Sequence, residues 1–501
     1  MVRLAVLLYS LAAIALGWRA SRRAEDPGEF WTAGRSLGGG SVGLSMSAGF
    51  MSVSWSCVYA VQLFYWYGLG AVWLITIPWV LSLGGIYLLA RRYHALPSFS
   101  QPEMVGARFG RGARVSVAIS LAVVFLVWGG AEIYVAARLL ASPLGLAIPT
   151  TVVGISLVVA IYSSLGGFRA VVDTDRMQYV IVVLYIVAMG ILAVRGLHAA
   201  GAPLIPPASV HAAKSGTGWT SLFSPGVAII ILTFVAYLPG WLFETDLWLR
   251  VQAARSDRDA RRGVLIAGLN SIAFVGILPL FIGIAALVLF PLHNGSIPAS
   301  IGQEGDAIFA ALVTRYAPAW LEMLVAAGLV AAAMSTIDTC ANVMGLAIAY
   351  DLLEVQKNAA SSRTSRWVTI GVMAAACVFA LNTESLWSIF YLSGGILTTA
   401  VAFPVAAVFA PEVSAAGVRW SSITGFVATF AAYFAESRGW LGVIEPASVR
   451  TSGLGYILVA AIAAALAYGA AVVVESRARR RGSRTGDRGS RIEDRGSRNG
   501  D

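Results

Sequence analysis

Long apolar runs dominate this chain and restrict it to a fold built from membrane-crossing helices. A bilayer core about 30 Å thick is crossed by roughly 20 apolar residues in a helix. Hydropathy marks thirteen such runs, at about 2–18, 40–64, 68–90, 114–137, 144–165, 177–196, 225–248, 264–290, 318–346, 367–382, 386–410, 420–435 and 453–475. The expected class is an all-α polytopic membrane protein with about 13 transmembrane helices. The composition agrees, with 58% hydrophobic and 12% charged residues among 501.

The net charge of +10 raises the question of nucleic acid. Where the charges lie answers it. Most of the Lys and Arg gather in every second loop, in 19–39, 91–113, 166–176, 249–263, 347–366 and 411–419, and in the tail. Cytoplasmic loops carry such an excess, so the amino terminus is expected outside and the carboxyl terminus inside. No nucleic acid partner is needed. Arg19, Arg22 and Arg23 follow the first run, whereas a cleavable signal carries its charges before it. That run is read as a retained helix. Cys57, Cys340 and Cys377 all lie inside apolar spans and suggest neither a disulfide nor a metal cluster. The four His fall in loops or near span ends, and no nucleophile–base spacing stands out, so an enzyme is not expected.

Polar residues inside the spans carry the functional signal. In Ala331-Ala332-Ala333-Met334-Ser335-Thr336-Ile337-Asp338-Thr339, residues Ala332, Ser335, Thr336 and Thr339 share one helix face. That face offers oxygen ligands beside Asp338, a costly carboxylate at membrane depth. A small-residue packing seam would account for the same pattern. Span two holds Ser47, Ser52, Ser54 and Ser56 with Gly49. A break there would aim carbonyls into a cavity, and a serine-rich packing helix is the other reading. Span four carries Trp128 and Glu132, for a solute pathway or a structural pair. Gly166-Gly167 marks a turn, after which Thr174 or Asp173 can cap a helix with Asp175 in its first turn. Span seven contains Tyr237-Leu238-Pro239-Gly240-Trp241, a second break signal, and ends with Glu244, Asp246 and Arg250, a cytoplasmic gate or an ordinary interfacial ion pair.

Four of these stretches, Gly34-Arg35-Ser36-Leu37-Gly38, Ser47-Ala48-Gly49, Tyr162 through Gln178, and Ala332 through Thr336, resemble the sodium:solute symporter family over roughly residues 28 to 410. The likeness is to its proline and sugar carriers. It implies a LeuT-like fold of two inverted five-helix repeats, with spans two to six (40–197) and seven to eleven (225–410). Before them lie an extra helix and loop (1–39), and after them two peripheral helices (411–475) and a disordered basic cytoplasmic tail (476–501). The outer loop 291–317 is expected to hold a short helix from Asp306 to Arg315.

The resemblance also implies residues. Sodium would lie between the carbonyls of Phe50, Val53 and Ala332 and the hydroxyls of Ser335 and Thr336. Asp175, Asp338 and Thr339, with Ser335, would serve a second sodium or an exit route. The solute would meet Ser52, Ser54, Ser56, Trp128, Glu132, Tyr237 and Trp241. Ser52, Ser56, Trp128, Tyr237 and Trp241 depart from the types found in the proline carriers, and Glu132 replaces a small residue. The expected function is sodium-coupled symport of a small organic solute by alternating access, in a bacterial inner membrane. A proton-coupled carrier or a solute sensor without net flux are the alternatives. Lipid is the expected surroundings, and no obligate protein partner is inferred.

Overall fold

The computed structural model describes residues 2–21, 33–302, 304–354, 359–383 and 385–496. The Glu29–Thr32 part of the first loop and residues 497–501 of the tail therefore lie outside the described residues. The helices in chain order are α1 Val2–Ser21, α2 Gly39–Phe50, α3 Ala60–Tyr67, α4 Thr76–Ala95, α5 Gln101–Phe109, α6 Arg111–Leu144, α7 Ile148–Ala199, α8 Val227–Leu242, α9 Thr245–Gln252, α10 Asp257–Ser271, α11 Leu278–Leu289, α12 Ile308–Tyr316, α13 Ala319–Gly345, α14 Ala359–Leu381, α15 Leu386–Ile396, α16 Phe403–Ala407, α17 Ala415–Ser437, α18 Ala447–Arg450 and α19 Gly455–Gly496. Wider π-helical turns join several of them, notably Val53–Tyr59 into α3, Leu346–Leu352 after α13 and Leu397–Ala402 after α15. Among the described residues no named strand occurs; only isolated bridges form, such as Leu37 with Ala254.

Among the described residues, nine helical stretches are long and apolar enough to cross a bilayer, or ten if the bent pair Gly39–Phe50 and Val53–Trp73 is counted as one span. This is fewer than the thirteen read from hydropathy. The helices missing from the nine are present but shorter or less apolar, among them Ile148–Ser164 and α17. The molecule is built inside out, as lipid requires. Leu4, Leu7, Leu8, Leu157, Leu184 and Ile191 are exposed, while Ser45, Glu132, Asp175, Arg250 and Asp338 are buried. Apolar side chains facing lipid cost nothing, and charges are tolerated only in the bundle interior.

Two local expectations need correcting. Pro239 and Gly240 lie within α8, and the break comes later, at Phe243–Glu244. Helix-breaking residues are tolerated where neighbours satisfy the freed backbone; Thr398 donates to the Ala236 carbonyl at 2.8 Å beside the proline. Gly240 serves close approach instead, since a Cβ there would lie 2.7 Å from the Leu397 Cβ. The tail is also different. α19 continues to Gly496.

In α7 helical turns continue from Ile148 to Ala199, and Thr174 donates back to Val171 O. Its contacts nevertheless show a reversal. Tyr162 donates to Met334 O at 3.0 Å, and Tyr185 packs on Gly328. A straight helix would carry Tyr185 about 35 Å beyond Tyr162, whereas Gly328 and Met334 stand only about 9 Å apart along α13. The chain therefore folds back between the two tyrosines, and both arms lie against α13. The expected short outer helix is present as α12.

Gly328 fixes that contact, because a Cβ there would meet the Tyr185 Cβ at 2.2 Å. Overpacking of this kind costs about 1–3 kcal/mol. Gly328→Val should lower the thermal unfolding midpoint of the purified protein; an unchanged midpoint would contradict this packing.

Candidate functional site

The site begins where α2 stops. Met51 leaves helical geometry, and Ser52 is extended (φ −79°, ψ 159°), its hydroxyl accepting the Trp55 N–H at 2.9 Å. Serine is a preferred residue for restarting a helix, because its oxygen satisfies one of the free N–H groups. The two halves meet at 62°. The break falls just past Gly49, where the serine cluster predicts it. Glu132, from α6, fills the new helix start. Its carboxylate accepts the Val53 N–H at 2.6 Å, the Ser54 N–H at 2.9 Å and the Ser54 hydroxyl. A negative charge is stabilised there by the helix dipole.

The other side of the break meets α13. Ser335 Oγ donates to Ala48 O at 3.0 Å and is 2.9 Å from Ala332 O. Thr336 Oγ1 is 3.0 Å from Gly49 O and 3.3 Å from Ala332 O. Two hydroxyls and three carbonyls thus converge at the end of α2. The expected residues Ala332, Ser335 and Thr336 are brought together. Their backbone partners are Ala48 and Gly49, whereas Phe50 and Val53 were expected. Ala48 and Gly49 lie two and four residues before Phe50 and Val53, and Val53 stands beyond the bend, its N–H on Glu132.

Below this point lies a buried ion cluster. Arg250, on α9, is fully buried, with Asp175 at 3.1 Å and Asp246 at 3.2 Å. It also donates to Ser45 at 2.8 Å and Thr339 at 2.9 Å, and its guanidinium lies over Gly49. Asp338 turns away to accept the Tyr162 hydroxyl at 2.7 Å. The residues expected to share a second sodium are therefore divided. Asp175 and Thr339 hold Arg250, Asp338 holds Tyr162, and Ser335 holds α2. Nor is Arg250 an interfacial pair, since it joins α2, α7, α9 and α13 in the interior. Burying a guanidinium requires several partners, and one acidic neighbour would not suffice.

Above the break an aromatic cavity of about 70 Å³ is lined in part by Ser52, Ser54, Trp128, Tyr237 and Trp241, all expected at a solute site. Ser56 is turned into its own helix, donating to Ser52 O at 2.9 Å, and Glu132 stands behind Ser54 outside the lining. Trp55, Trp79, Phe390 and Glu244 also line it, with Gly49, Phe50 and Thr336 at the break. Sequence reading missed the three rings. Trp55 stands between Ser54 and Ser56, whose hydroxyls carried the signal there, Trp79 sits in an apolar run without a polar neighbour, and Phe390 comes from a distant span. Tyr237 stacks on Trp241 at 4.2 Å, with the edges of Trp55 and Trp79 at 5.1 and 5.2 Å from Trp241. Glu244 belongs to this wall and is not an Arg250 partner.

Removing one member of a buried ion pair costs about 3–5 kcal/mol, because the remaining charge is left uncompensated. Arg250→Met should therefore destabilise the purified protein strongly, and adding Asp175→Asn should restore part of the loss. Additive losses in a double-mutant unfolding cycle would contradict the coupling.

Comparisons with known proteins agree with this geometry. The human sodium/iodide cotransporter is 31% identical over 192 residues, covering 36% of this chain and 28% of its own length. The sodium/glucose cotransporter of Vibrio parahaemolyticus is 25% identical over 337 residues, covering 62% of this chain and 59% of its own. The matches thus span well under two thirds of these relatives. A solved structure, the substrate-bound outward-open state of a Na+-coupled sialic acid symporter, superposes with a TM-score of 0.70 over 93% of this chain and 96% of that one, at 18% identity, and shares the fold. The sequence profile of the sodium:solute symporter family matches residues 30–425, and the chain belongs to that family.

Proposed function

We propose that this protein is a sodium-coupled symporter that carries a small organic solute across the membrane by alternating access. The observation that carries this reading is the junction of α2 and α13, where Ser335 and Thr336 hydroxyls meet the carbonyls of Ala48, Gly49 and Ala332. Sodium is a hard cation that takes oxygen ligands, and neutral oxygens let it leave again. An ion among these oxygens would turn the hydroxyl lone pairs toward itself and tie the broken helix to α13. The aromatic cavity lies directly above, and Thr336 lines both. Sodium binding would thereby order the solute site, and each ligand would raise the affinity for the other.

In this reading residues 40–197 and 225–410 form two inverted repeats, each opened by an interrupted helix. The breaks at Met51–Ser52 and Phe243–Glu244 support it. The amino terminus faces outward, in keeping with the basic loops, and Arg250 with its acidic partners closes the inner side. Membrane potential adds about 2.3 kcal/mol per charge per 100 mV to the driving force.

Proteoliposomes test this with labelled proline, glucose and tetramethylammonium under an inward sodium gradient. At least one should accumulate only in sodium. Ser335→Ala and Thr336→Ala should each raise the sodium concentration for half-maximal uptake about tenfold, or about 1.4 kcal/mol of sodium binding. Unchanged sodium activation in both variants would contradict the site. Uptake that survives without sodium and collapses with the proton gradient would transfer the coupling to the buried carboxylates.

A further inference from the structure

Resting on the symporter reading, we infer that the solute is a small organic cation, an ammonium compound without a carboxylate. Three observations point this way.

The first is the lining. Trp55, Trp79, Trp128, Tyr237, Trp241 and Phe390 surround the cavity, and its ionisable wall consists of Glu244 with no Lys, Arg or His. Aromatic faces attract ammonium groups, most strongly where water is excluded. Glu244 is buried beside the Asp246 carboxyl, and Glu244 Oε2 and Asp246 Oδ1 have no other hydrogen-bond partner. A buried carboxylate oxygen left unpaired is expensive, and a cation in the cavity would supply its partner.

The second is Glu132. Half-helix starts in inverted-repeat transporters point at anionic groups of the substrate. Here that place is taken by the protein's own carboxylate, held by both Val53 and Ser54 N–H groups. A solute carboxylate arriving at Ser54 would find the donors used and a negative charge in front of it.

The third is charge balance. Glu132, Asp175, Glu244, Asp246 and Asp338 are buried around the site, and Arg250 is the single buried basic side chain among them. Arg250 is committed to Asp175 and Asp246. With Arg250 so committed, none of these groups offers a free basic partner to an anionic solute, whose buried charge would go uncompensated.

Equilibrium binding to the purified full chain tests the inference, using tetramethylammonium and choline against glycine betaine, which carries the same trimethylammonium group plus a carboxylate. Each is measured in sodium and in potassium. The expected result is millimolar or tighter binding of a carboxylate-free ammonium, at least tenfold tighter than glycine betaine. Glu244→Gln should weaken it about tenfold while the protein keeps its thermal unfolding midpoint in the absence of ligand. Glycine betaine binding as tightly as choline overturns the inference, as does the absence of binding by either carboxylate-free compound. The two readings separate cleanly. Ammonium binding that is equal in sodium and potassium keeps this inference and removes sodium coupling, whereas sodium-dependent binding of glycine betaine alone does the reverse.

Discussion

Breaking a helix inside a membrane frees backbone groups that no solvent can satisfy, and most of this interior answers that one constraint. At Met51–Ser52 the free N–H groups go to Ser52 and Glu132, and carbonyls of the preceding turn go to Ser335 and Thr336. Apart from Ser52, these partners come from α6 and α13. The break therefore fixes the relative positions of α2, α6 and α13. It also creates the chemistry, because carbonyl oxygens turned out of a helix are ligands for a cation, and a helix start is a place for an anion.

The same economy applies to the charges. Arg250 is sustained in the interior only because Asp175, Asp246, Ser45 and Thr339 surround it. It ties α2, α7, α9 and α13 together in the interior. A cluster whose members come from α2, α7, α9 and α13 is a natural divide between two arrangements of the bundle.

Much of this was legible in the residues themselves. Spans appear as apolar runs because lipid rewards them directly. The break in α2 showed as serines around Gly49, and the ligand face of α13 showed as the spacing of Ala332, Ser335 and Thr336. Other features depended on three-dimensional packing. Pro239 suggested a break that Thr398 and neighbouring helices suppress. The carbonyls facing Ser335 are set by where α2 unwinds, to within two residues, which periodicity does not resolve. Arg250 looked like a surface pair because its sequence neighbours Glu244 and Asp246 are acidic, yet Asp175 and Thr339 come from elsewhere. Trp79 and Phe390 carry no local mark at all. The count of thirteen spans overstated the helices that are long and apolar in their own right, because helices such as α17 can be stabilised by the helices around them.

The central claim is that a cation joins α2 to α13 through Ser335 and Thr336. Equilibrium binding of radioactive sodium to the purified protein, with potassium holding the ionic strength constant, tests it most directly. The account predicts saturable sodium binding that is lost in the Ser335→Ala, Thr336→Ala double variant while the protein remains folded. Saturable binding that persists in the double variant, or none in the unaltered protein, would contradict it.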